Sequence, residues 1–295
     1  MSLAGIWRSI DDFSDDDISW ILRRSSLHRG SAAASLLNDP PVVGLLFLET
    51  SLRTRIGFAA AAAKIGGQSL DVVEQRHSAI ATPESLADTF RVLSGYCDAV
   101  VARLDQPLDD ALFHDGVGCP VLNGGDRGND QEHPSQVLVD LFAFATEGRL
   151  WPGSMLFVGD LRMRAARSWF RLLERHPSTR VSLLTSPPLL EGHTLAPHLP
   201  VRLNWTEVFD DAPEVVYLVG IPHKSVSEPE RARLRVTESV LRQLPATTVV
   251  TSPLPLVDEI TPDARQDSRF RAFQHSDNGI FLRMAILEFL LRSSR

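Results

Sequence analysis

Three short segments carry residues that could grip a small anion and polarise a carbonyl. The first is Glu49-Thr50-Ser51-Leu52-Arg53-Thr54-Arg55. It follows the apolar run Val42 to Leu48 and precedes an alanine-rich stretch, so it reads as the turn from a buried strand into a helix. Ser51 suits the N-cap position, with the next backbone N–H groups left pointing outward. Arg53 and Arg55 then fall in the first helical turn, where the dipole disfavours cations unless an anion sits there. With an anion in place, helix amides and guanidinium groups act on it together. The competing reading is a surface helix whose arginines reach into solvent. The second segment is a single residue, Arg103, at the carboxyl end of the apolar stretch Ala99 to Ala102. The third is the polar loop Asp126 to Gln136, with Pro134 at the first position of a following helix and His133 at its N-cap. The positive helix end favours a neutral imidazole there, able to donate a hydrogen bond to a carbonyl oxygen. Gln136, one turn in, faces the same way. The plain alternative for His133 is a capping residue with no chemistry.

These segments need elements to hold them. Ser14 caps an opening helix whose first turn is Asp15-Asp16-Asp17. Strands are expected over Val42 to Leu48, Leu70 to Val73, Ala99 to Ala102 and Val121-Leu122, with helices over Leu52 to Ile65, Ser85 to Tyr96 and from Pro134. The alternation repeats in the second half. Strands are expected over Met155 to Val158, Val181 to Leu184, Val215 to Val219 and Thr248 to Thr251, and helices over Arg164 to Arg175, Glu230 to Leu244 and Gly279 to Arg292. Such alternation argues for two doubly wound, parallel α/β domains. Gly148, Pro152 and Gly153 mark the boundary, giving domains at 1–147 and 148–276, with a closing helix over 277–295. In open α/β sheets, ligands bind beyond the carboxyl ends of the strands, where all three segments fall.

Composition excludes several classes. A chain of 295 residues with 43% hydrophobic and 23% charged residues is an ordinary globular protein of two-domain size. Its net charge of −7, with no basic run, speaks against nucleic-acid binding. Two cysteines, Cys97 and Cys119, in unrelated contexts give neither a disulfide framework nor a zinc site. No stretch is apolar enough to span a membrane, and no leader is recognisable, so a cytoplasmic location is expected. Gly159 stands without a GxGxxG, which sets a dinucleotide enzyme aside.

At this level the chain resembles a known family. Ser51-Leu52-Arg53-Thr54-Arg55 is similar to the Ser-Thr-Arg-Thr-Arg signature of the aspartate and ornithine carbamoyltransferases, and His133-Pro134-Ser135-Gln136 to their His-Pro-Thr-Gln. The likeness continues through Pro83 to Thr89, Asp98 to Arg103, Asn123 to Asp126, Gly159-Asp160-Leu161 with Arg164 to Ser168, Pro253-Leu254-Pro255 with Val257 to Ile260, and Asn278 to Phe281. Pro-Leu-Pro followed by Val-Asp-Glu-Ile is closest to the aspartate branch. The resemblance implies two carbamoyltransferase-type domains, with the C-terminal helix packing back on the first. It implies a carbamoyl-phosphate site in which Ser51, Leu52, Arg53 and Thr54 hold the phosphate with the helix amides. Arg103, His133 and Thr54 would polarise the carbonyl oxygen. Gln136 and the backbone of Pro253 and Leu254 would bind the carbamoyl NH2. It further implies a homotrimer with shared sites, in which Ser78 comes from the neighbouring chain, and it implies no cofactor and no metal.

The pattern breaks in four places. The family's loop lysine is Thr82 here, with Arg76 or His77 as nearby substitutes. The strand ending at Val219 leads to Gly220-Ile221-Pro222-His223-Lys224-Ser225, where the family has the arginine and glutamine that hold aspartate. Leu256 replaces a second arginine, and Leu52 replaces a threonine. A dicarboxylate closed into a cleft without cationic partners costs several kcal/mol, roughly. Two expectations follow: a carbamoyltransferase acting on a small amine other than aspartate, with Arg164, Gly220, Pro222 and Leu256 shaping the acceptor pocket, or a catalytically degenerate homologue that survives as a binding or assembly partner. The retained arginines, His133 and Gln136 favour the first.

Overall fold

A computed structural model describes residues 5–31, 37–72, 85–113, 116–127, 131–190, 199–222 and 226–292. The chain divides into two compact units, one formed by Met1–Phe142 with Asn278–Arg295, the other by Ala143–Asp277.

The first unit contains β1 (Ile6–Trp7), α1 (Asp15–Arg29), β2 (Val42–Phe47), α2 (Leu52–Lys64), β3 (Gln68–Val72), α3 (Leu86–Leu93), β4 (Ala99–Arg103), β5 (Val121–Asn123) and most of α4 (Pro134–Thr146). Its sheet is parallel throughout, in the order β1-β5-β4-β2-β3. The inner strands β2 and β4 are apolar and buried almost without interruption, as parallel strands covered on both faces must be. The order reverses between β2 and β4, because β3 lies on one side and β5 on the other. Phe47 stands opposite Arg103 at their carboxyl ends, so the crevice expected at such a switch point opens on the Glu49-to-Arg55 and Arg103 segments.

The second unit contains β6 (Ser154–Gly159), α5 (Arg164–Arg175), β7 (Arg180–Leu184), β8 (Val201–Arg202), α6 (Trp205–Asp211), β9 (Val215–Gly220), α7 (Glu228–Leu234), α8 (Glu238–Gln243) and β10 (Val249–Thr251), with α9 (Ala272–Arg292) beginning here and ending in the first unit. Its sheet is also parallel, in the order β10-β9-β6-β7-β8, and reverses between β6 and β9. Its core packs around Leu156, Val158, Val216, Leu218 and Val250.

Three expectations are corrected. The helix expected over Glu230 to Leu244 is two helices, because Val236 forms a parallel bridge to Ile260 and its N–H donates to the Glu259 carbonyl. The last helix begins at Ala272, seven residues before Gly279, on the polar turn Gln274 to Asp277. The helix expected from Ser85 to Tyr96 closes at Leu93, with Gly95 and Tyr96 in a turn. Two further strands, β1 and β8, have only two residues each and no hydrophobic pattern of their own. Among the described residues no helix is long and apolar enough to cross a membrane.

Candidate active site

The site is built on the switch point of the first unit. Ser51 occupies the N-cap of α2 in an extended conformation, but its side chain makes no capping hydrogen bond. The first-turn amides are therefore left for another acceptor. Helix α2 persists because residues 59–63 are alanines, the strongest helix formers.

The two arginines of its first turn part company. Arg55 turns to Asp71 on β3, at 3.7 Å. Arg53 is half-buried and has no carboxylate partner among the described residues, and burial pushes its pKa below the usual arginine range. A partly desolvated cation at a helix head is poised for an anion. Leu52 is 66% exposed, so its side chain adds no polar group and only its backbone is suited to an anion.

Thr54 is buried beside His133, its Oγ1 lying 3.2 Å from the His133 Nε2. His133 immediately precedes α4, its carbonyl accepting from the Gln136 N–H at 3.0 Å, and its Nδ1 lies 3.3 Å from the Ser135 Oγ. Gln136 follows one turn on, its amide nitrogen donating to Asp140 at 2.9 Å. Arg103 ends β4 and is buried, with Glu49 at 3.8 Å, and Glu49 also pairs with Arg127.

Gly125 joins these groups. It holds φ +107, a conformation L side chains rarely adopt. A Cβ there would stand 2.9 Å from Arg103 Nη1 and 3.0 Å from His133 Cδ2. The absence of a side chain lets the guanidinium and the imidazole approach one point. The loop that carries Gly125 and His133 is pinned by buried polar side chains. Asn123 accepts from the Gly125 N–H at 2.8 Å, Asp126 accepts from the amides of Leu108 and Glu132, and Glu132 accepts from the Ile10 N–H. Gly125, Asp126 and Glu132 were not singled out as site residues from sequence. A glycine in a polar loop after a strand was the available signal for the first.

The second unit presents the acceptor-side residues. Arg164 is the first residue of α5 and half-buried. Arg162 grips Asp160 through two hydrogen bonds of 2.8 Å. Gly220 ends β9 with φ +112, and Pro222 follows half-buried. Leu254 holds φ +59, uncommon for leucine, its N–H donating to Ser252 Oγ at 3.1 Å. Pro253, Leu254 and Leu256 are half-buried on this loop, and Leu254 and Leu256 pack against the second unit's core. The buried Glu259 ties the two loops together, accepting from the Ile221 N–H at 3.3 Å and the Val257 N–H at 2.7 Å. Ser78, with Arg76, His77 and Thr82, lies outside the described residues, as do His223, Lys224 and Ser225.

Comparison with known proteins adds ancestry to this geometry. The family described as "Aspartate/ornithine carbamoyltransferase, carbamoyl-P binding domain" matches residues 7–146. The aspartate carbamoyltransferase catalytic subunit of Archaeoglobus fulgidus is 33% identical over 295 aligned residues, covering 95% of this chain and 96% of its own. The catalytic subunit of M. jannaschii aspartate transcarbamoylase superposes with a TM-score of 0.80 at 26% identity, covering 98% of each chain. The aspartate transcarbamoylase of Trypanosoma cruzi, in complex with aspartate and phosphate, does so with a TM-score of 0.80 at 26% identity, covering 98% of this chain and 96% of that one.

Proposed function

Because this chain belongs to the aspartate/ornithine carbamoyltransferase family, on its aspartate branch, we propose that it moves the carbamoyl group of carbamoyl phosphate onto an amine and releases phosphate. The observation that carries this reading is the gathering of Thr54, His133 and Arg103 around Gly125 at the first sheet's switch point. An amine attacks the carbonyl carbon, a C–N bond forms, the bond to the phosphate oxygen breaks, and the proton the amine sheds leaves on the phosphate. Negative charge grows on the carbonyl oxygen, where Arg103, His133 and Thr54 are the donors. The departing phosphate falls to Arg53, Ser51, Thr54 and the open amides of α2, including that of Leu52. Preorganised donors of this kind are usually the largest catalytic contribution. Gln136, oriented by Asp140, suits the carbamoyl NH2, a role shared in this proposal with the backbone of Pro253 and Leu254.

The acceptor in this reading is a small amine less acidic than aspartate, met by Arg164, Gly220, Pro222 and Leu256. Supporting it are Gly220-Ile221-Pro222, where the family resemblance expects an arginine and a glutamine, and Leu256, where it expects a second arginine. Aspartate itself is the second reading, favoured by the names of the relatives. A homotrimer with Ser78 reaching a neighbour's site belongs to the same proposal. Its support is two exposed apolar side chains of the first unit, Ile56 on α2 at 52% and Leu70 on β3 at 43%. Phosphate release from carbamoyl phosphate against a panel of amines tests the whole. Release with neutral or monocarboxylate amines above that with aspartate supports the first acceptor, release with aspartate alone supports the second, and the absence of amine-dependent release across the whole panel contradicts turnover.

A further inference from the structure

Beneath the first turn of α2 lies a cation that none of these roles uses. Arg283 on α9 is 6% exposed, and its Nε has no hydrogen-bond partner among the described residues. Two glycines make room for it. A Cβ on Gly57 of α2 would stand 2.8 Å from its Nη1, and one on Gly279, a turn earlier in α9, 2.5 Å from the same atom. The guanidinium carbon lies 5.7 Å from the centre of the Phe58 ring. Gly57 sits one helical turn beyond Arg53, on the same face of α2.

Burial disfavours the charge on Arg283, and the like charge of Arg53 adds to this, while Asp140 opposes both. The pKa is pushed down to about 10, which leaves Arg283 protonated at neutral pH. Asp140, itself buried, is the residue that accepts from the Gln136 amide. One buried guanidinium thus sits between the helix that carries Arg53 and the helix that carries Gln136. A buried charge that forms no ion pair among the described residues is costly, and an apolar side chain of similar length would fill the same channel.

On the premise of the carbamoyl-phosphate reading, we propose that Arg283 is a positioning residue of that site. Its fixed charge, lodged in the Gly57–Gly279 notch, repels the Arg53 guanidinium toward the head of α2. It adds to the positive field that a phosphate dianion meets there, and it steadies Asp140 and through it Gln136. Shielded from salt, such a charge acts over a longer range than a surface arginine does.

Inorganic phosphate is titrated calorimetrically into the full chain as wild type, Arg283→Met and Arg283→Lys, with thermal unfolding followed with and without saturating phosphate. Arg283→Met is expected to bind phosphate about tenfold more weakly and to lose most of the phosphate-induced rise in Tm. Arg283→Lys, which keeps the charge, is expected to stay within about threefold of wild type. Equal phosphate affinity in wild type and Arg283→Met overturns the proposal whatever happens to the unliganded Tm, since a packing role moves Tm alone. A lysine variant as weak as the methionine variant overturns it too. Should Arg283→Met fail to fold, Arg283→Gln is held to the same criterion. A wild type that binds no phosphate instead overturns the carbamoyl-phosphate reading itself.

Discussion

Both sheets reverse between two central strands, and the two crevices that result are furnished in opposite ways. In the first unit the ends of β2 and β4, Phe47 opposite Arg103, lead to Arg103 and His133 around a single glycine, with Thr54 beside His133 and Arg53 in the first turn of α2. In the second the ends of β6 and β9 are Gly159 opposite Gly220. The backbones come so close that a Cβ on Gly159, which holds φ +111, would lie 2.2 Å from the Gly220 carbonyl oxygen. There Asp160 already engages Arg162, and Glu259 is taken up by two backbone amides. Topology fixes where a ligand goes, and the loop residues decide which ligand. The first crevice offers a cation, Arg53, that has no carboxylate partner among the described residues. The second pairs Asp160 with Arg162 and Glu259 with backbone amides, and its described residues Pro222, Leu254 and Leu256 add apolar and backbone surface.

Substitutions sharpen that contrast, beginning with the largest effect. Arg53→Ala should lower kcat/KM for carbamoyl phosphate by about a thousandfold or more in steady-state phosphate release, as removal of charge from a preorganised site does. Gly125→Ala comes next. Its added Cβ must displace Arg103 or His133 and adopt a strained φ, so activity should fall roughly 10–100-fold and stability by roughly 1–3 kcal/mol in urea unfolding. Glu259→Gln should act on the second unit only. It should weaken the tie between the loops after β9 and β10, raise KM for the acceptor severalfold, leave phosphate affinity unchanged and cost about 1–2 kcal/mol. A parallel loss of phosphate binding would contradict the division of labour.

The smallest effect is a pH dependence. Burial alone would raise the carboxyl pKa of Glu288, but hydrogen bonds from Arg24 and His28 bring it below the ordinary range. A carboxylate whose folded pKa is depressed stabilises the fold above its unfolded pKa, about 4.3, and that contribution disappears as pH falls through the folded value. Glu288→Gln should therefore flatten the acid limb of the Tm–pH profile below about pH 4.3, by an amount on the order of 1 kcal/mol. Glu147 in the second unit is held low by a comparable arrangement, burial opposed by the His275 hydrogen bond. An acid limb unchanged by Glu288→Gln would place the first acid-sensitive contact elsewhere.

The alternation of strands and helices was legible because buried parallel strands are uniform apolar runs and α2 is a run of alanines. The location of Arg53, Arg103 and His133 was legible because strand ends are readable and ligands gather there. What stayed hidden depends on contacts distant in sequence. Nothing around Val236 announces its bridge to Ile260, which splits the expected helix in two. The polar start of α9 carries no apolar stripe, yet His275 is buried there, its ring nitrogens lying 2.9 Å from Thr251 Oγ1 and 3.1 Å from Glu147 Oε1. Arg55 looked equivalent to Arg53 until Asp71 of β3 claimed it. Arg283 reads as an ordinary helical arginine, because the glycine that admits it, Gly57, lies more than two hundred residues away.

Calorimetric titration of carbamoyl phosphate without any amine, into wild type and Arg53→Ala, addresses the anion site directly. Saturable binding by the wild type and none by the variant is the predicted result. No heat from the wild type at millimolar ligand, or equal affinities in the two proteins, would contradict a phosphate grip at the head of α2.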